Sequence, residues 1–217
     1  FAEQVLDAIE DSANPGQAAH FLRAFFQRLF APGAHVAGLA ANEHALRRLV
    51  RALGASEFVG DAVVARPDLA DLVLGGGRIP DPGGVVRDEI ALSRRGLADE
   101  ADPEEARAAF VAATRRAKLW VMVAVAVADL GGQVETREAT WLLSDLAAEI
   151  LEQAVRFELG DGARGLAVIA MGKLGGKDIG YGSDLDVLFI YDPVFAPRPE
   201  EAGAYFARRA QRVMRLI

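Results

Sequence analysis

A change of pattern near Arg164 constrains the fold more than any other feature of this 217-residue sequence. Up to about residue 160, apolar side chains recur at three- and four-residue spacing, which is typical of amphipathic helices. Two short apolar runs follow, Gly165 to Met171 and Asp184 to Tyr191. Runs of this length bounded by glycine predict buried strands. We therefore predict an α+β chain, with a helical domain over residues 1–160 and the beginning of a second domain over residues 161–217.

Caps and breakers divide the helical region. Asn14 followed by Pro15 predicts a helix start, because asparagine caps the first turn and proline fits the first helical position. Pro32 and Gly33 are predicted to end that helix. Seven of the ten residues in GGGRIPDPGG, residues 75–84, are glycine or proline, so we predict the main linker or long loop there.

Composition excludes several classes of protein. Lys and Arg number 24 against 31 Asp and Glu, a net charge of −7, which argues against a general nucleic-acid binder. The sequence has no cysteine, so disulfides, thiolate nucleophiles and cysteine metal sites are excluded. The longest apolar run, Leu119 to Ala128, is about half the roughly 20 residues of a membrane span, and no secretory signal opens the chain. We expect a cytoplasmic protein without a membrane partner.

Two aspartates begin the second apolar run. Side chains alternate along a strand, so Asp184 and Asp186, here called the acid pair, are predicted to share one face. Leu188 and Ile190 continue that face as apolar side chains, which places the acid pair at the mouth of a buried strand. Two carboxylates about 6 Å apart repel by about 3 kcal/mol at an effective dielectric constant of about 20. A divalent cation removes this repulsion, so we predict that the acid pair binds Mg²⁺.

The segment before the acid pair, residues 172–183 and here called the glycine turn, has the composition of a phosphate site. Glycines let a ligand approach the backbone closely, and successive N–H groups can face an anion. The glycines are Gly172, Gly175, Gly176, Gly180 and Gly182. Lys173 adds a cation and Ser183 a hydroxyl group. We predict a site for a nucleoside triphosphate and a metal, with catalysis by positioning and charge neutralisation.

Two familiar glycine motifs do not fit this segment. A P-loop has four residues between its glycines and then Lys and Ser or Thr, whereas Gly172 and Gly176 enclose three and Lys177 precedes Asp178. A dinucleotide-binding turn reads G-x-G-x-x-G, whereas residues 180–185 read GYGSDL. The spacing of the glycines therefore excludes a P-loop and a dinucleotide-binding turn.

The string MGKLGGKDIGYGSDLDVLFIYD, residues 171–192, resembles the nucleotidyltransferase superfamily and, within it, the glutamate–ammonia-ligase adenylyltransferase family. Residues 42–74 resemble, more weakly, the helical region before a catalytic half in that family. The resemblance implies a mostly helical region followed by the start of a nucleotidyltransferase-type mixed sheet. It also implies a multifunctional enzyme, in which one half attaches AMP from ATP to a tyrosine of glutamine synthetase and the other removes it by phosphorolysis.

The resemblance assigns roles to particular residues. Asp184 and Asp186 would be the catalytic metal ligands for Mg²⁺. The residues implied to line the triphosphate of ATP are Gly172, Lys173, Gly175, Gly176 and Ser183. The sequence GYGSDLD, residues 180–186, is more similar to the attaching half of the family. Two alternatives stay open: the de-adenylylating half, or a catalytically silent docking fragment that binds glutamine synthetase or a PII-type signal protein.

One departure from the family pattern concerns the third carboxylate. The superfamily places it on a later strand, in this family within an Asp-x-Arg-Leu-Arg-Pro-like string that does not occur here, and Asp178 and Asp192 do not match its place. The chain opens on Phe1 and closes on Ile217 within a predicted helix, so we expect a piece of a longer protein that is inactive by itself.

Overall fold

The computed structural model describes residues 1–29, 32–74, 79–97, 102–160 and 164–217. Helix dominates these residues, and the strands among them form one antiparallel pair. The predicted α+β class with a mostly helical N-terminal region is therefore confirmed. In the described parts of the chain, no helix combines the length and apolar character needed to cross a membrane.

The chain divides into two compact units. The first consists of Phe1–Ile79 and Met122–Ala139, and the second of Pro80–Val121 and Thr140–Ile217. The predicted boundary at residue 160 separates two continuous stretches of the sequence, whereas each compact unit is made of two separate stretches. That boundary stays a prediction.

Short helices build the first unit. They are α1 (Ala2–Glu10), α2 (Pro15–Arg28), α3 (Pro32–Ala41), α4 (Glu43–Ala55), α5 (Glu57–Ala65) and α6 (Ala70–Leu74). Helix α4 is the most buried, because leucines at three- and four-residue spacing, Leu46, Leu49 and Leu53, are fully enclosed. Each such side chain contributes about 1.5–3 kcal/mol of transfer free energy. Phe25 of α2 is also fully buried.

Side-chain caps fix where these helices begin. Asn14 accepts a hydrogen bond from the Gln17 N–H at 3.1 Å, which confirms the predicted start of α2. Asn42 accepts one from the Ala45 N–H at 3.0 Å at the start of α4. Helix α3 was missed, because Pro32 begins a helix rather than only separating two segments, and proline is well tolerated at a first helical position.

Replacing the α4 cap tests this assignment. We expect Asn42→Ala to lower the free energy of unfolding by about 1 kcal/mol, because the Ala45 N–H loses its acceptor. Urea denaturation measures the change. Asn42→Asp retains an acceptor at that position and should unfold close to the wild type. Equal midpoints for Asn42→Ala and the wild type would contradict the role of the cap.

The predicted linker over residues 75–84 is wrong at its C-terminal end. Residues 75–78 lie outside the described residues. Pro82, Gly83 and Gly84 form the first turn of a helix, and Asp81 caps it by accepting a hydrogen bond from the Gly84 N–H at 2.8 Å. A cap and an N-terminal proline outweigh the low helix propensity of two glycines.

The second unit combines helices with the strand pair. Its elements are α7 (Pro82–Arg95), α8 (Pro103–Leu130), α9 (Thr136–Leu159), β1 (Leu166–Ala170), α10 (Gly172–Gly175), β2 (Val187–Tyr191) and α11 (Ala202–Met214). The last turns of α8 and the first turn of α9 belong to the first unit. Strands β1 and β2, here called the strand pair, run antiparallel in a register from Leu166 opposite Tyr191 to Ala170 opposite Val187.

The strand pair is covered on one face. Leu166 and Val168 are half-buried and line a cavity of about 470 Å³ together with side chains of α9. On the other face Ile169 is 41%, Leu188 52% and Ile190 51% exposed. The prediction of buried strands is therefore wrong for this face, because an apolar run does not specify whether one or both faces of a strand are covered.

Candidate active site

A main-chain hydrogen bond joins the end of β1 to the acid pair. The Met171 N–H donates to the Asp186 carbonyl oxygen at 2.8 Å, one position beyond the last strand register pair. The antiparallel ladder therefore continues past the strands as assigned. As a result, the first residue of the glycine turn lies next to the second residue of the acid pair.

Gly172 contacts the Asp186 carboxylate. Its φ is +51°, a left-handed conformation that favours glycine. A Cβ added to Gly172 would lie 2.5 Å from Asp186 Oδ2, well inside contact distance. Glycine thus suits this position both in its conformation and in the space it leaves for the Asp186 carboxylate, and the structure brings these two predicted site residues together.

The glycine turn begins with a single helical turn, α10. The Gly175 N–H donates to the Met171 carbonyl at 2.9 Å, and the Gly176 N–H donates to the Gly172 carbonyl at 3.0 Å. These two amides are occupied within the turn, so they do not point outward to an anion as the sequence argument supposed. Gly175 leaves space instead, since an added Cβ would lie 2.6 Å from the Ala170 carbonyl oxygen.

Lys173 and Ser183 flank the turn in different ways. Lys173 is exposed on α10, so its ammonium group is accessible to an anion. Ser183 is half-buried, and its Oγ accepts a hydrogen bond from the Gly180 N–H at 3.0 Å. The serine hydroxyl closes the second part of the turn and keeps its own hydrogen for another acceptor.

The acid pair precedes β2 rather than belonging to it. Asp184 and Asp186 are exposed, while Leu185 and Val187 are half-buried, so the alternation expected of an extended segment is present. The prediction that the acids lie at the mouth of a buried strand is wrong, because their face of the strand pair is open. Water screens two exposed carboxylates, so their repulsion is smaller than the buried estimate.

No group of three or more His, Asp or Glu that could hold a metal ion occurs among the described residues. Within the described residues, neither Asp178 of the glycine turn nor another acidic or histidine side chain joins the acid pair to form such a group. Mg²⁺ commonly takes one or two protein carboxylates and completes its shell with water and substrate phosphates.

Helix α9 anchors the glycine turn through two residues that the sequence argument missed. The Ile179 N–H donates to Ser144 Oγ at 3.4 Å, and both residues are buried. Lys177 Nζ lies 3.0 Å from Asp145 Oδ1 at the exposed edge. The sequence carried no signal for this contact, because the Ser144 hydroxyl also donates to the Thr140 carbonyl at 2.7 Å within its own helix.

Comparison with known proteins identifies the family of this chain. Residues 46–217 match the family described as Glutamate-ammonia ligase adenylyltransferase. Three similar proteins each carry the name bifunctional glutamine synthetase adenylyltransferase/adenylyl-removing enzyme. The Methylococcus capsulatus protein is 29% identical over 88% of this chain and 22% of its own length. The Xanthomonas campestris protein is 31% identical over 98% of this chain and 24% of its own length. The Nocardia farcinica protein is 33% identical over 79% of this chain and 18% of its own length.

The family match over residues 46–217 and the shared name of the three relatives place this chain among segments of proteins described as adenylyltransferases. The chain spans 18–24% of the length of these relatives. It belongs to the glutamate–ammonia ligase adenylyltransferase family.

Proposed function

We propose that this chain, within its complete protein, supplies the triphosphate- and metal-binding part of a site that transfers AMP from ATP to a tyrosine of glutamine synthetase. The contact between Gly172 and the Asp186 carboxylate carries the proposal. It places the first glycine of the turn directly against a carboxylate of the acid pair. The relatives' names supply the acceptor, because they are called glutamine synthetase adenylyltransferases.

The donor chemistry fits Mg²⁺ and a triphosphate. Asp184 and Asp186 would hold the metal, since both carboxylates are exposed and hard cations prefer oxygen ligands. When bound, Mg²⁺ neutralises negative charge that develops on the phosphates. Lys173 would add a second positive charge beside the phosphates. Ser183 would donate its remaining hydrogen to a phosphate oxygen while it holds the turn closed.

The reaction is a substitution at the α-phosphorus of ATP. The tyrosine oxygen forms a bond to that phosphorus, the bond to the bridging oxygen of the β-phosphate breaks, and pyrophosphate leaves. The tyrosine proton is lost to the surroundings. This chain's contribution is to orient the phosphates and reduce their charge, so that an oxygen nucleophile can approach.

Removal of AMP from glutamine synthetase is a second candidate reaction. The relatives' names combine adenylyltransferase with adenylyl-removing activity, so the same residues could instead serve phosphorolysis of adenylylated glutamine synthetase. In that case an oxygen of inorganic phosphate forms a bond to the phosphorus of the protein-bound AMP, and the bond from that phosphorus to the tyrosine oxygen breaks. The tyrosine regains a proton, and ADP is released. The site would then bind the phosphates of the product.

Isotope transfer tests the two candidates. We expect the complete protein to attach label from ATP labelled at the α-phosphorus to glutamine synthetase when Mg²⁺ is present, and to stop when Mg²⁺ is chelated. Labelled protein is measured on a denaturing gel. Absence of label would refute the attaching reaction. Because the complete protein can carry both activities, the Asp186→Asn variant assigns this site. Loss of labelling with retained phosphate-dependent release of labelled ADP supports the attaching reaction, and loss of that release with retained labelling supports the removing reaction.

A further inference from the structure

A buried carboxylate lies at the C-terminal end of α9, away from the acid pair. The side chain of Glu158 is 3% exposed, and three arginines surround it. Arg107 Nη2 of α8 lies 2.5 Å from Glu158 Oε1. Arg209 Nη1 of α11 lies 3.5 Å from Oε2 and donates to the Glu158 carbonyl at 2.9 Å, and Arg212 Nη1 lies 3.9 Å from Oε2.

Aromatic rings orient two of these guanidinium groups. The Arg107 guanidinium carbon lies 6.0 Å from the ring centre of Phe157, and that of Arg209 lies 5.3 Å from the ring centre of Tyr205. A guanidinium group is planar and presents its donors in a fixed fork, so a stacked arginine holds its partner in a defined orientation. Buried ion pairs are poor sources of net stability, because desolvation offsets their attraction. The contact of Glu158 with these arginines is therefore better explained by the orientation that it gives to the helices that carry them.

Helix α11 connects Glu158 to the strand pair. Phe206, which is 2% exposed, stacks on Tyr191 of β2 with ring centres 5.3 Å apart. A Cβ added to Gly165, just before β1, would lie 2.9 Å from Phe206 Cζ. Both strands are therefore packed against α11 at the end where β1 begins and β2 ends.

Helix α9, which carries Glu158, also contacts the glycine turn. Ser144 and Asp145 of α9 contact the turn at Ile179 and Lys177. Ser144 lies fourteen residues before Glu158, which is about 21 Å along a helix. Helix α9 thus holds the glycine turn directly at one point and the strand pair, through α11, at the other.

We propose that Glu158 is a positioning residue for nucleotidyl transfer. Its carboxylate holds α11 against α9. Helix α11 in turn holds the end of the strand pair where β1 begins and β2 ends, and the strand pair positions the acid pair against the glycine turn. The inference rests on the proposed function, because what Glu158 positions is the Asp186–Gly172 contact. A displacement of about 1 Å among reacting groups is enough to lower a rate by about 100-fold.

Glu158→Gln in the complete protein tests the proposal, because it keeps the shape and removes the charge. We expect kcat to fall about 10-fold while KM for ATP stays within about twofold, since the phosphate-binding groups remain in place and only their alignment changes. Hydrogen exchange should become faster in residues 187–191 and 202–214 and stay unchanged in α4. Circular dichroism confirms folding.

Two further variants complete the test. Glu152→Gln is the matched control, because Glu152 lies on the same helix in an exposed pair with Arg156, and its kinetics should equal those of the wild type. Arg209→Lys keeps the charge and loses the fork, so it should lower kcat less than Glu158→Gln does. It also serves as the kinetic test if Glu158→Gln does not fold.

Wild-type kcat in Glu158→Gln, or a fall that matches the loss of folded protein, would overturn the proposal. So would wild-type kinetics in Arg209→Lys if Glu158→Gln does not fold. If the wild-type protein transfers no AMP, the proposed function fails by itself. Hydrogen exchange then decides about Glu158: faster exchange confined to residues 187–191 and 202–214 supports its hold on the strand pair, and unchanged exchange refutes it.

Discussion

Asp186→Asn in the complete protein is expected to lower the rate of AMP transfer by at least about 100-fold. Loss of a residue that merely supports a metal ligand already costs about 10- to 100-fold, and this substitution neutralises a proposed ligand itself. Asparagine keeps the size of the side chain. It also leaves intact the main-chain bond in which the Asp186 carbonyl accepts from the Met171 N–H at 2.8 Å. The loss should therefore reflect charge and not folding.

Initial rates at saturating ATP, measured over a range of Mg²⁺ concentrations, check this expectation. The variant should need more Mg²⁺ for half-maximal rate. Asp192→Asn is the matched control at the other end of β2, where the Asp192 Oδ1 accepts from the Val194 N–H at 3.0 Å and an asparagine oxygen can do the same. A wild-type rate in Asp186→Asn would remove Asp186 from the mechanism.

Signals within a few residues predicted local structure well. Asn14 and Pro15 marked a helix start because a cap and its proline act within one turn. The two apolar runs marked β1 and β2 for a similar reason, and the glycine turn lies between them as expected. The proximity of Gly172 and Asp186 could be anticipated too, since two neighbouring strands joined by a short segment commonly pair.

Longer-range features could not be predicted from the sequence. Nothing near Ser144 or Glu158 in the sequence indicates that one contacts Ile179 and the other contacts Arg209, because these contacts depend on how α9 packs against later elements. The open face of the strand pair was missed for the same reason. An apolar residue such as Leu188 favours burial, but only the tertiary structure determines whether another element covers it.

The amides of Gly175 and Gly176 show how a correct pattern can suggest the wrong physical reason. Their positions were chosen for amides that face an anion, whereas both amides bond inside the turn. Steric space explains Gly175 better, since the Ala170 carbonyl excludes any side chain there. Glycine is selected at different positions of one turn for conformation, for close packing, or for access by a ligand, and a sequence alone does not separate these reasons.

Gly172→Ala is expected to lower the transfer rate by about 100-fold while it costs only about 1–2 kcal/mol of stability. The stability cost is that of holding alanine at a φ of +51°. The rate loss has a different origin, because the new Cβ would lie 2.5 Å from Asp186 Oδ2. The carboxylate is the end of a flexible side chain, so it can move away at little cost in folding. That movement displaces the group proposed to hold the metal.

Gly132→Ala separates the two effects. Gly132 has a similar φ of +66°, and an added Cβ there meets nothing within 4 Å, so this variant carries the conformational strain without the contact. Both variants should lose similar stability in urea denaturation, and only Gly172→Ala should lose activity. If Gly172→Ala instead transferred AMP within a few-fold of the wild-type rate, the Asp186 carboxylate could move without consequence. The close contact between the glycine turn and the acid pair would then have no part in positioning the nucleotide.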